Sequence, residues 1–155
     1  MGLKDQLRTD LTAAMKARDD LRRDTLRMVL TAVTNEEVAG DQAKELSDQE
    51  LIAVLAREVK KRGESAEAFD GGGRPELAAK ERAEAAVITG YLPIQLTDAE
   101  LADLVAAAVA EVQAATGAAP GNKQLGQVIK ATQARAAARA DGRRISDAVR
   151  AALAG

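Results

Sequence analysis

The chain has 155 residues and a formal net charge of −2 at pH 7, and 46% of its residues are apolar although only 1% are aromatic. It contains no cysteine, histidine or tryptophan, which excludes disulfides, thiolate chemistry and the usual histidine–cysteine zinc sites. No apolar run is long enough to span a membrane, and the opening segment MGLKDQLRTD lacks an apolar signal core. We therefore expect a cytoplasmic protein with no cofactor, no metal and no membrane partner.

The first two helices follow from apolar residues at helical spacing. The first helix carries Leu3, Leu7, Leu11 and Met15. The polar run ARDD interrupts this pattern, and Asp19 or Asp20 can cap a second helix. The second helix carries Leu26, Val29, Leu30 and Val33. The polar segment 35–45 that follows is expected to fray or to form a loop.

Two capping boxes predict further helix starts. LSDQEL places Ser47 three residues before Glu50, and LTDAEL places Thr97 three residues before Glu100. The helix that begins after Ser47 turns Leu51, Leu55 and Val59 inward. Its run REVKKR, residues 57–62, is interpreted as a solvated face because carboxylates surround it.

A helix boundary in the middle of the chain predicts two subdomains. DGGGRPE is read as a turn before a helix over about 75–89, and it is not a phosphate loop because no GK[ST] follows it. GYLP ends that helix, since a residue before proline is biased away from helical conformation. We expect an N-terminal helical subdomain over 1–92 and a C-terminal three-helix subdomain over 93–155.

The C-terminal subdomain shows three further amphipathic segments. The fifth helix carries Leu101, Leu104, Val105, Ala108, Val109 and Val112. The sixth carries Leu125, Val128 and Ile129. The last carries Ile145, Ala148, Val149, Ala152 and Leu153. The pattern as a whole predicts an all-α fold of about seven helices without a strand.

Charge is unevenly distributed along the chain. Residues 118–155 carry seven positive and two negative side chains, whereas residues 1–117 carry fifteen positive and twenty-two negative ones. A basic segment on an acidic body is typical of a protein that binds a polyanion. The candidate RNA-binding residues are Lys123, Lys130, Arg135, Arg139, Arg143 and Arg144. The alternative is that these side chains only keep an alanine-rich surface solvated.

Local geometry suggests how this basic segment would bind. Arg135 and Arg139 stack on one side if the sixth helix continues through the alanines between them. Arg143 and Arg144 lie at the start of the last helix, where free amides and guanidinium groups together can hold a phosphate. Single-stranded bases are usually recognised by stacking on aromatic side chains, and the segment has none. A structured RNA contacted through its backbone fits better.

Four strings in order along the chain carry a resemblance to a known family. They are LRRDTLRMVLTAVTNEEV, LAREVKKRGESAEAF, GRPELAAKERAEAAVITGYLPIQLTDAEL and LGQVIKATQARAAARADGRRISDAV. Together they resemble the YqeY-like family over nearly the whole chain. YLPIQLTDAEL and ARADGRRIS are the most specific pieces. The family is related to the helical tail of the B subunit of glutamyl/aspartyl-tRNA amidotransferase, which contacts tRNA while the chemistry lies elsewhere in that enzyme.

The resemblance implies an all-helical fold and makes tRNA the expected polyanion, with an amidotransferase or another translation protein as a possible partner. Carried onto this sequence, it points to the segment from Lys123 to Lys130 and the turn from Arg139 to Arg144. A family label of carbon–nitrogen ligase with glutamine as amido donor would describe the whole complex. The family usually has glycine where Ala138 stands, so a longer sixth helix is expected here.

Two other classes of function stay open. One is a protein–protein interaction module that does not bind RNA. The other is an enzyme with a carboxylate or metal site, for which Glu81, Glu84 and Glu100 are the first candidates. Catalysis by this chain alone is disfavoured, because acid–base chemistry near neutral pH most often uses histidine. The oligomeric state is left open.

Overall fold

The computed structural model describes residues 2–154 and contains seven α-helices in that range. Their bounds are α1 Leu3–Ala17, α2 Asp20–Glu37, α3 Asp48–Gly71, α4 Pro75–Thr89, α5 Asp98–Thr116, α6 Leu125–Ala136 and α7 Gly142–Ala154. Short 3-10 turns at Asn122–Gln124 and Ala137–Arg139 flank α6. No strand occurs between residues 2 and 154, so the predicted all-α fold is confirmed.

Side-chain caps explain where several helices begin. The Asp19 carboxylate accepts a hydrogen bond from the Arg22 amide at 3.1 Å, which starts α2. Ser47 and Thr97 start α3 and α5 with complete capping boxes, in which the glutamate three residues on accepts from the cap amide. Pro75 is the first residue of α4, where its missing N–H leaves no helical bond unmade.

The helices divide into a first unit, which ends at Leu92, and a second unit, which begins at Pro93. In the first unit α1–α4 enclose an apolar core, and α3 packs along α4 as a helical hairpin. Buried in this core are Leu7, Leu26, Val29, Val33, Leu46, Leu51, Val54, Leu55 and Ile88. Ala66 and Ala78 are also fully buried, and such small side chains let helices approach closely.

The end of α1 differs from the expected apolar face. Met15 is 43% exposed, whereas Ala14 is buried. A spacing of four residues advances about 40° beyond a full helical turn, so the stripe that starts at Leu3 rotates away from the core by the fourth residue. Ala14 follows Leu7 by seven residues and stays on the inward side.

In the second unit α5, α6 and α7 enclose a core of their own. Its buried members are Leu96, Leu101, Val105, Ala108, Val112, Val128, Ala136, Ala140, Ile145 and Val149. None of the helices between residues 2 and 154 is both long and apolar enough to cross a membrane.

The longer sixth helix expected from the alanines around residue 138 does not form. Helix α6 ends at Ala136, and Ala137 takes φ 51° and ψ −130°. The chain turns here because Ala140 is buried in the core and the Leu96 amide donates to the Arg139 carbonyl at 2.7 Å. These tertiary contacts override the helix propensity of alanine.

Candidate functional site

All six predicted RNA-binding residues lie in the second unit, but the structure brings only some of them together. Arg139 and Arg144 meet at the segment that leads into α5. Arg139 Nε donates to the Ile94 carbonyl at 2.9 Å, and Arg144 Nη2 donates to the Leu96 carbonyl at 2.8 Å. The two strings that carry the resemblance most specifically, YLPIQLTDAEL and ARADGRRIS, therefore contact each other, and both arginines help to hold them.

Both arginines also face carboxylates of α5. Arg144 Nη2 lies 2.9 Å from Asp98 Oδ1, and Arg139 Nη2 lies 3.8 Å from Glu100 Oε2. The backbone amide of Thr97, then its hydroxyl, and more weakly Arg139, hold the pKa of Glu100 below its usual value. Glu100 thus serves the capping box of α5 and stays ionised beside Arg139.

The start of α7 is already occupied by an acidic group. The Asp141 carboxylate accepts from the Arg144 amide at 2.8 Å and so caps this helix. The prediction that free amides here hold a phosphate is wrong for that amide, because a carboxylate of the chain takes the place of the anion. Arg143 is exposed in the same turn.

Arg135 and Arg139 do not stack on one side, because α6 ends at Ala136, between them. Arg135 Nη2 instead lies 3.0 Å from Glu111 Oε2 on α5.

Lys123 and Lys130 are the cationic residues that remain available. Both are exposed, Lys123 in the 3-10 turn before α6 and Lys130 on α6 itself. Neither has a carboxylate oxygen within 4 Å among the residues that the structure describes.

The second unit is less basic than its C-terminal segment. Helix α5 adds Asp98, Glu100, Asp103 and Glu111 to the seven cations and two acids of residues 118–155. Seven positive and six negative side chains leave a net charge of +1. The asymmetry seen along the sequence is therefore largely cancelled within the folded unit.

A second polar site lies in the first unit, where sequence reasoning did not place one. The Arg62 side chain is only 7% exposed. Its Nε donates to Glu84 Oε2 at 3.2 Å, and its Nη1 donates to Glu58 Oε1 at 3.1 Å. The interpretation of residues 57–62 as a solvated face is thus wrong for Arg62. The spacing of the apolar residues predicts the inward position of Arg62, because Arg62 lies seven residues after Leu55 and shares its face of α3.

Arg62 and Glu84 line an open cavity of about 500 Å³ between α2, α3 and α4, which we name the Arg62 groove. Arg27 and Met28 line it from α2, Lys61 from α3 and Glu81 from α4.

The three glutamates suggested for an enzyme site have different surroundings in the two units. Glu84 is paired with Arg62, Glu81 lines the groove, and Glu100 belongs to the capping box of the second unit. Within residues 2–154, no group of three or more acidic side chains is arranged to hold a metal ion.

Residues 4–153 match the family described as Yqey-like protein. The chain belongs to the YqeY-like family. The resemblance carried by the four strings is confirmed, and it extends over nearly the whole chain.

Similar curated proteins come from yeasts and related fungi. The YqeY-like chain is 34% identical over 125 residues to "Altered inheritance of mitochondria protein 41, mitochondrial" of Eremothecium gossypii, which covers 79% of this chain and 67% of that protein. The protein of the same name from Lachancea thermotolerans is 35% identical over 86 residues, or 56% of this chain and 46% of that protein. The one from Meyerozyma guilliermondii is 30% identical over 125 residues, or 79% and 64%. The matches span about half to two thirds of these relatives' length.

These relatives overturn the expected cytoplasmic location. These relatives are themselves named as mitochondrial proteins. The expectation rested on a missing signal core and a missing membrane span. Neither feature distinguishes the cytosol from the aqueous interior of an organelle.

Proposed function

We propose that this YqeY-like protein is a non-catalytic binding module whose second unit contacts the backbone of a structured RNA. The observation that carries the proposal is the pair Lys123 and Lys130, which are exposed and have no carboxylate oxygen within 4 Å among residues 2–154. Unpaired ammonium groups can approach phosphates without first leaving a carboxylate. The resemblance to the tail of the amidotransferase B subunit makes tRNA the first candidate, in a role beside tRNA-dependent amidation in translation.

The arginines of the second unit support binding in a weaker way. Three of them pair with acids of α5, namely Arg135, Arg139 and Arg144. Their side chains are 40%, 42% and 32% exposed. Exposed ion pairs contribute only about 0–1 kcal/mol, so a phosphate can replace the carboxylate partner. Binding by a unit of net charge +1 should therefore depend on a few local contacts, each of which contributes roughly 0.7–0.9 to the log–log salt slope.

The test compares the double variant Lys123→Gln/Lys130→Gln with wild type in a tRNA-binding titration at several salt concentrations. We expect several-fold weaker binding and a log–log salt slope that is smaller by roughly 1.5, because two phosphate contacts are lost. Poly(U) serves as the unstructured ligand and should bind more weakly than tRNA.

The matched control is Lys60→Gln/Lys80→Gln, which removes two exposed lysines from the first unit with the same change in charge. It should bind tRNA like wild type. Equal affinities and equal salt slopes for both double variants would refute the proposal. Arg139→Ala is a poorer probe, because it also removes the hydrogen bond to the Ile94 carbonyl.

A protein–protein interaction module is the second candidate. The observation that favours it is Ile94, a large aliphatic side chain that is 85% exposed in the second unit. A specific protein partner that is retained after nuclease treatment and released by Ile94→Asn would favour this function. Loss of the partner on nuclease treatment would favour RNA instead.

A further inference from the structure

The Arg62 groove contains a buried guanidinium group that can donate a further hydrogen bond to a ligand. Arg62 is held in place by two carboxylates: Glu58 accepts a hydrogen bond from Nη1, and Glu84 accepts one from Nε. Its Nη2 faces the sulfur of Met28 at 3.7 Å, and Met28 is itself partly exposed in the groove. A thioether sulfur is a weak acceptor, and no oxygen accepts a hydrogen bond from this nitrogen within residues 2–154.

Arg27 lines the same groove, is exposed, and shares with Arg62 only the contact between a guanidinium nitrogen and a methionine sulfur. Its Nη2 donates to the sulfur of Met15 at 3.3 Å, and no carboxylate oxygen lies within 4 Å of it among residues 2–154. Asp24, an acid on the same helix, is held by Arg23 at 2.8 Å. Arg27 is therefore a second guanidinium with capacity for an anionic oxygen.

Glu81 is the acidic counterpart on α4. It lines the same groove, and in the described part of the chain it has neither an ion pair nor a side-chain hydrogen bond. Lys61 adds a cation whose distance to Glu58 is 3.6 Å. The groove thus contains three cations and three carboxylates. Arg27 and Glu81 are the two of these six that form no ion pair within 4 Å among residues 2–154.

A cavity of about 500 Å³ lies in the usual size range for small-molecule sites. A purely anionic ligand would be repelled by Glu81, and a purely cationic one by Arg27. A ligand that carries both charges satisfies both residues and leaves the groove neutral.

We propose that the Arg62 groove binds a small zwitterion of the amino-acid type. The ligand carboxylate accepts from Arg27 and from Arg62 Nη2, and the ligand ammonium donates to Glu81. Met28 contacts the aliphatic part of the ligand. The site lies in the first unit and does not depend on RNA binding by Lys123 and Lys130, so either proposal can fail alone.

The chain's few methionines provide a direct readout. The protein contains three methionines, so methyl-13C-methionine labelling gives a simple NMR spectrum in which Met28 and Met15 report on the two guanidinium groups. The probes are the proteinogenic L-amino acids, titrated singly at millimolar concentration. At least one of them should shift the Met28 methyl signal in a saturable way. Absence of a saturable shift with every amino acid would overturn the proposal.

Derivatives of the best amino acid test each charge. Its N-acetyl form lacks the ammonium, and its carboxamide form lacks the carboxylate, so each should bind wild type about tenfold more weakly. Glu81→Gln should remove the preference for the free amine over the N-acetyl form. Arg27→Gln should remove the preference for the free acid over the carboxamide.

The matched control is Arg8→Gln, which removes an exposed arginine of α1 that does not line the groove. It should leave all three affinities unchanged. If Arg8→Gln weakens binding as much as Arg27→Gln, or if both derivatives bind like the free amino acid, the assigned contacts are wrong.

Discussion

Ala137 has a backbone conformation that alanine rarely adopts. Its φ of 51° and ψ of −130°, followed by φ −92° and ψ 17° at Ala138, correspond to the two central positions of a type II′ turn. Glycine favours the first of these positions because it has no Cβ. The sequence did not reveal this site, since a run of alanines favours a continuous helix. The resemblance to the family leads one to expect a glycine at the next position, where this chain has Ala138.

We predict that Ala137→Gly stabilises the protein. Relief of strain at a positive φ is worth about 1–3 kcal/mol, and glycine costs about 0.4–1 kcal/mol through greater freedom of the unfolded chain. The expected net gain in the free energy of unfolding is about 1 kcal/mol, measured by urea denaturation. Ala138→Gly is the control, because Ala138 has a negative φ; it should be neutral or destabilising. A loss of stability in Ala137→Gly would contradict the assigned turn.

At the scale of helices, the sequence was informative where signals are local. Ser47, Thr97 and Pro75 mark three helix starts, because a cap depends only on residues within one turn. The burial of Arg62 was missed, because it depends on Glu84, which comes from another helix. The charges of residues 57–62 favour a solvated face, but the register of the helix places Arg62 on the inward side of α3.

The capping box of α3 should make stability depend on pH. The Lys44 ammonium, then the Ser47 amide, lower the pKa of Glu50 from its usual 4.5 to about 2. A carboxyl group whose pKa is lowered by folding contributes stability above its unfolded pKa, and this contribution is lost as pH falls through the folded value. We expect the contribution of Glu50 to disappear between about pH 4.5 and pH 2.

The measurement is the thermal unfolding midpoint of wild type and Glu50→Gln across this pH range. Glutamine keeps the hydrogen bond of a capping box but loses the charge. Wild type should therefore be more stable at pH 7, and the difference should shrink towards zero near pH 2. Lys44→Gln removes the same ion pair, so its unfolding midpoint should change less with pH over the same range. Parallel pH profiles for wild type and Glu50→Gln would show that the ion pair does not stabilise the fold.

At the scale of the molecule, the charge of a segment proved a poor guide to the charge of a surface. Residues 118–155 carry a net charge of +5, but folding places three acids of α5 beside three of their arginines. Sequence reasoning cannot pair Arg135 with Glu111, because that contact is set by how α6 packs on α5. Lys123 and Lys130 emerge as the stronger candidates only once these pairs are known.

Two separate cores predict that the units lose stability independently. Leu55 is fully buried in the core of the first unit, and Ile145 is fully buried in that of the second. Truncation of either to alanine should cost about 2–5 kcal/mol. Because a unit of about 60 residues has little stability to spare, Ile145→Ala should accelerate amide hydrogen exchange throughout α5–α7 and leave α1–α4 nearly as protected as in wild type. Leu55→Ala should do the reverse. Equal acceleration in both units by either variant would mean that the two units unfold as one cooperative body. In that case a substitution of the lysines in the second unit could weaken RNA binding by lowering the stability of the whole chain.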